Sequence, residues 1–241
     1  VHAPAQAPGC SNDDPTRTVL IEMLRHLDLG VAEIVNALKE TGVYENTLVF
    51  YLSDNGGATV MEANNAPFRG AKQWDYEGGI HVPFFVSWPG KIPANSTCSV
   101  PVFSFDVLPT ACAAGGVTIP EDHGLDGKDI MPALLGETEK IHDYMCWNDA
   151  QGKWAIRSHE GWKLVGVKGK TELFNLNDDI AEEHDLFAAN PEKAQALLKT
   201  YQAWLAEMPS PRKGDKVWGE KSDKAPGQKK REKQDKKKNK K

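Results

Sequence analysis

The stretch "TLVFYLSDNGG", Thr47 to Gly57, carries the fold. Its first six residues are apolar, β-branched or aromatic without alternation, the pattern of a strand buried on both faces in a sheet covered by helices. Residues 15 to 40 precede it as a helix. There Val19, Leu20, Met23, Leu24, Leu27, Val31, Ile34, Val35 and Leu38 recur at three- and four-residue spacing, and Gly42 is a natural stop. Asp14 can cap this helix, and Pro15 suits its first position. A helix followed by a buried strand predicts an α/β domain.

Further along, "VPFFVSWPG" (Val82 to Gly90) reads as a second buried strand, and "SFDVLPTACAAGG" as a helix stopped at Gly115 and Gly116. After about residue 140 the pattern changes to short strands with turns between them, "YMCWND", "WAIRSHEGWKLVGVKG" and "TELFNLNDD", an antiparallel sheet. Pro191 to Met208 is an amphipathic helix. The expected divisions are 1–140, an α/β portion; 141–210, a small antiparallel sheet with one helix; and 211–241, a disordered tail.

The strand at Thr47 ends on Asp54 and Asn55, then on two glycines. In open α/β sheets, ligands gather at such carboxyl ends. A carboxylate and an amide carbonyl are hard oxygen donors, suited to calcium or magnesium, and glycines let backbone approach closely. Asp-Asn-Gly-Gly is equally good turn chemistry, so the tetrapeptide alone supports either reading.

Charge is unevenly spread. From Arg212 to Lys241 there are 14 basic and 5 acidic residues, a charge of +9, which leaves −14 on the remainder of a chain whose net charge is −5. With almost nothing apolar to bury, the tail is expected to be disordered and available to polyanions. No apolar run is long enough for a membrane-spanning helix. The four cysteines (Cys10, Cys98, Cys112, Cys146) form no C-x-x-C pair, which argues against a zinc cluster; Cys112 is expected in the core.

The segment after the first strand has a distinctive order: Phe68-Arg69-Gly70-Ala71-Lys72, three residues, Tyr76-Glu77-Gly78-Gly79, then Val82-Pro83 and Trp88-Pro89-Gly90. Together with the preceding Ser53-Asp54-Asn55-Gly56-Gly57, it resembles the sulfatase family of the alkaline-phosphatase superfamily. The likeness runs from Val1 to about Met208. "VHAPAQAP" resembles the family's H-T-P-x-x-A-P loop with Ala3 in place of Thr, and "GLDGKDIMPALLGE" its D-G-x-x-x-x-P-x-L segment. The basic tail has no counterpart.

The resemblance implies an alkaline-phosphatase-like sheet covered by helices, lacking its N-terminal strands, plus the small C-terminal sheet. It implies a sulfuric-ester hydrolase acting on an aryl or carbohydrate sulfate. Asp54 and Asn55 would ligate one calcium ion. Lys72 and His2 would contact a sulfate oxygen and the leaving-group oxygen, and His2 would help protonate the departing alcohol. The family's nucleophile, a formylglycine made from Cys or Ser in C/S-x-P-S/A-R, has no match here. The paired Asp residues and the upstream Lys and His of the sulfate pocket are also absent. The chain is therefore expected to be the C-terminal portion of a sulfatase, inactive by itself, with export to periplasm, extracellular space or lysosome. The alternative is a non-catalytic sulfatase-like domain that binds anions or glycans. Arg69 is expected to be structural, and His26, His123, His142, His159 and His184 to be surface or structural. His81 stands where the family usually has Arg, and is expected to pack or hydrogen-bond beside the strand. Trp88, Trp154 and Trp162 are expected in the core.

Overall fold

The computed structural model describes residues 15–120, 122, 124–149 and 152–208. His2, Cys10, Asp14, His123 and the basic tail lie outside the described residues.

Helix α1 spans Thr16–Glu40, and its last turn is closed by Thr41 N–H and Gly42 N–H on the Ala37 and Lys39 carbonyls. Pro15 sits just outside the helix in extended backbone, so its fixed φ starts the chain into the helix rather than occupying the first turn. The apolar stripe is present, but none of its residues is buried. Leu24, Leu27 and Ile34 are more than half exposed, because the short turns at Tyr44–Asn46 and Thr59–Met61 lie against the helix and leave much of that face uncovered.

Strand β1 (Val49–Leu52) pairs antiparallel with β2 (Phe84–Ser87), Leu52 opposite Phe84, after the four-residue helix α2 (Glu77–Ile80). The expectation of strands buried on both faces is not met. β1 is half-buried throughout, and β2 alternates, with Phe85 64% exposed. These two strands form a sheet by themselves among the described residues, so each has an edge without a strand partner and neither is enclosed in a wider sheet there. Helices α3 (Val107–Ala114) and α4 (Met131–Leu134) follow. Buried Asp106, before α3, holds that region together. It accepts from Phe103 N (2.7 Å), Lys128 N (2.8 Å) and His142 Nε2 (2.9 Å).

The C-terminal portion matches the expected pattern: β3 (Tyr144–Asn148), β4 (Trp154–Ser158), β5 (Trp162–Val167) and β6 (Lys170–Asn175) form one antiparallel meander, followed by α5 (Pro191–Glu207). Period-two geometry splits its apolar residues between two faces. Ile156, Leu164 and Leu173 pack under Ala194, Leu197 and Tyr201 of α5. Ala155, Val165 and Phe174 face the other way and pack against Tyr76, just before α2. The sheet is thus a platform, with a helix on one side and the loop leading into α2 on the other.

Trp88, Trp154 and Trp162 are half-buried, with Trp154 stacked on Tyr201 at 4.5 Å. Cys112 is only partly buried. Gly30, inside α1, has open space where a Cβ would stand. Gly30→Ala is expected to raise stability by about 0.5–1 kcal/mol in urea titration, through helix propensity and a less flexible unfolded chain.

Candidate active site

The turn after β1 and the loop before α2 are bound to each other through backbone. Gly56 N–H donates to Gly79 O (2.9 Å), and Lys72 N–H donates to Gly57 O (3.2 Å). Asn65 clamps Gly57 from the side, accepting from its N–H (2.8 Å) and donating to its carbonyl (3.0 Å). The glycines are required by space. A Cβ on Gly56 would stand 1.9 Å from Gly78 O, and one on Gly79 1.9 Å from Trp74 O. Gly56→Ala should cost about 1–3 kcal/mol, because backbone on both sides must shift. A urea midpoint unchanged from wild type would show that the two loops are not so tightly joined.

This close approach places Asp54 and Asn55 in a cleft of about 950 Å³ between β1, the Lys72 loop, residues 98–104 and the β3–β4 hairpin. Neither side chain has a protein hydrogen-bond or ion-pair partner among the described residues; the Ser53 hydroxyl donates to the Asn55 carbonyl at 2.8 Å. A free carboxylate and a free amide oxygen fit a hard divalent cation. They fall short of the six to eight donors calcium takes, and no group of three or more His, Cys, Asp or Glu placed to hold a metal ion occurs among the described residues. Lys72 is brought beside this turn by its backbone. Its side chain is exposed and unpaired, one residue before the cleft-lining Gln73, and does not itself line the cleft.

The loop is anchored from below by buried charge. Glu77 is 1% exposed. Its carboxylate accepts from Lys163 Nζ of β5 (2.8 Å) and meets His81 Nδ1 (2.8 Å), with Arg157 Nη1 of β4 at 3.6 Å. Its N–H donates to Glu182 Oε2 (2.7 Å). Lys163, fully buried, also lies 2.9 Å from Glu182 Oε1, an ion pair without hydrogen-bond alignment. Burial pushes the Glu77 carboxyl up, but the His81 and Lys163 hydrogen bonds and the Lys163 and Arg157 charges outweigh it and hold it at about 2. Glu182 goes the other way: burial, joined by the Glu77 charge, outweighs Lys163 and raises it.

His81, expected beside the strand, is there, stacked on Phe68 at 4.4 Å. Arg69 is structural as expected: its guanidinium lies 4.1 Å over the Tyr76 ring and donates to Glu182 O (3.0 Å). Tyr76 donates a short hydrogen bond to Glu172. None of the cysteines Cys98, Cys112 and Cys146 is in a disulfide, and burial pushes the Cys146 thiol up to about 12, the reverse of an activated nucleophile.

Sequence reasoning missed the Lys163–Glu77–Glu182 anchor. Its one visible signal was Lys163 inside the apolar run "WKLVGV", where a lysine needs a buried acid as partner.

Known proteins resemble this chain in sequence and fold. Residues 3–117 match the family model Sulfatase, and residues 70–209 match N-sulphoglucosamine sulphohydrolase, C-terminal. A "Sulfatase" of Formosa agariphila is 30% identical over 236 residues, covering 85% of this chain and 42% of its own. The steryl-sulfatase of Mus musculus is 32% identical over 154 residues, 59% of this chain and 25% of its own. The crystal structure of Ps i-CgsB superposes with a TM-score of 0.77 at 32% identity, over 84% of this chain and 47% of that one. The chain thus spans less than half the length of these relatives. With more than half the chain under one such family model, and a second sulfatase model over residues 3–117, the chain belongs to the sulfatase family of the alkaline-phosphatase superfamily.

Proposed function

We propose that this chain supplies the C-terminal half of a sulfate-ester hydrolase active site, in a protein exported from the cytoplasm. The observation that carries the reading is the joined pair of loops. It presents an unpartnered carboxylate (Asp54), an unpartnered amide (Asn55) and an unpaired ammonium (Lys72) within one hydrogen-bonded unit.

Each group has a role the reaction needs. Asp54 and Asn55 would hold part of a calcium site, the other ligands coming from elsewhere in the protein. Calcium bound there would draw charge from the sulfate oxygens. Lys72 would bind a non-bridging oxygen of the same sulfate and stabilise charge developing on the leaving oxygen. His2 would donate the proton that the departing alkoxide takes up. The formylglycine nucleophile would likewise come from outside this chain.

The test is sulfate release from aryl and carbohydrate sulfates by the full-length protein, before and after chelation and calcium return. Release that is lost with chelator and restored by calcium is the expected result. Anion binding with no sulfate release from any substrate would turn the reading to a non-catalytic binding domain.

A further inference from the structure

The three residues between Lys72 and Tyr76, namely Gln73, Trp74 and Asp75, serve neither the candidate metal end nor the buried anchor. All three line the same cleft as Asp54 and Asn55. Trp74 is 39% exposed, a large aromatic side chain left part-open in a cleft of mixed polar and apolar lining. It is nevertheless held on several sides. Its ring stacks on Tyr76 at 6.1 Å, and Lys153 Nζ stands 5.9 Å from its centre. Its carbonyl sits where only a glycine, Gly79, leaves room.

Gln73 has φ +77°, a left-handed conformation that non-glycine residues adopt at a cost and that persists only where the surroundings enforce it. The enforcing contact is present: Lys153 Nζ, from the β3–β4 hairpin, donates to the Gln73 carbonyl. Lys153 is itself only 13% exposed and pairs with Asp149 at 2.9 Å. Beside this clamp, Asp75 keeps one shielded carboxylate oxygen with no partner. The hairpin thus fixes a part-exposed indole, with carboxylate and amide groups around it, two residues from Lys72.

We infer that Trp74 is the platform of a sugar subsite: the pyranose ring of a sulfated saccharide stacks on the indole, and Gln73, Asp75 and Asp149 read its hydroxyls. This inference rests on the sulfatase reading and narrows its substrate class to carbohydrate sulfates. A pyranose has an apolar C–H face and a rim of hydroxyl donors, which is the chemistry an aromatic face ringed by acceptors complements. A simple aryl ester carries no hydroxyls for these acceptors to read, so its turnover does not call on this subsite. Rigid support matters because a platform already in place loses no side-chain freedom on binding.

The test uses the full-length protein, Trp74→Ala and Trp74→Phe. Probes are k-i-k-neocarrahexaose, D-glucosamine-2-N,6-O-disulfate and 4-nitrophenyl sulfate. Binding is followed by calorimetry and turnover by sulfate release. Trp74→Ala is expected to weaken binding of at least one saccharide by about tenfold, the size of one lost aromatic stack. Trp74→Phe should keep most of that affinity, and aryl sulfate turnover should stay within about twofold of wild type. The subsite is overturned if neither saccharide binds the wild type, if Trp74→Ala binds as wild type does, or if saccharide affinity and aryl turnover fall together. If the wild type binds a saccharide through Trp74 yet releases no sulfate from any probe, the hydrolase reading fails and the subsite stands.

Discussion

Replacing Lys163 by Met is expected to destabilise the protein by about 3–5 kcal/mol, because it leaves two buried carboxylates without their shared cation. Lys163, Glu77 and Glu182 are each 1% exposed or less, so water cannot take over the lost ion pairs. Arg157 and His81 remain near Glu77 but not near enough to Glu182 to replace Lys163 there. Urea titration of wild type and variant at neutral pH measures the effect. A loss below about 1 kcal/mol would mean that the network is nearly neutral and that apolar packing holds the α2 loop on the sheet.

The same network predicts a pH dependence whose sign follows from Glu77. Its folded-state pKa of about 2 lies below the ordinary value of 4.5, so its ionisation stabilises the folded state. That contribution is fully present above about pH 4.5 and is lost as pH falls towards 2. Glu182, raised by burial, acts in the opposite sense and reduces the net slope. Comparing Glu77→Gln with wild type isolates the first effect. Wild type should be the more stable at pH 5, and the gap should narrow by pH 3. A gap independent of pH would show that Glu77 contributes by shape and hydrogen bonding alone.

Lys72→Ala is expected to lower kcat for sulfate release by about 10²–10³-fold, the loss typical of removing one preorganised group that stabilises transition-state charge. The variant should fold normally, since the Lys72 side chain is exposed and unpaired and only its backbone N–H ties it to Gly57. Stability and activity therefore separate here, as they do not for Lys163. Full-length Lys72→Ala with wild-type urea midpoint and wild-type turnover would remove Lys72 from the mechanism. The same assay on Asp54→Ala, read as calcium affinity by calorimetry, checks the metal assignment through binding rather than rate.

Local sequence was enough for the elements. The 3.6-residue stripe of α1, the apolar run of β1, the turn-separated strands after residue 140 and the Pro191 helix all appear where their patterns put them. Their periodicities arise from backbone geometry that each segment carries alone. The Asp54-Asn55 turn and the Lys72 loop were also legible, because residue order along a short segment was the signal.

Partnership was not legible. The unbroken apolarity of β1 suggested cover on both faces, yet β1 is half-buried, because burial depends on what else packs there. Glu77 and Lys163 are 86 residues apart, and nothing in either neighbourhood names the other. The clamp from Lys153 onto Gln73, 80 residues away, is of the same kind. Sequence by itself determined which segments form helices, strands and tight glycine turns. Only the tertiary structure decided which buried charges meet, which aromatic face stays open and which loops share a cleft. The reason is physical: helix and strand patterns come from neighbours a few residues apart, whereas desolvation and ion pairing depend on distances that exist only once the chain has closed on itself.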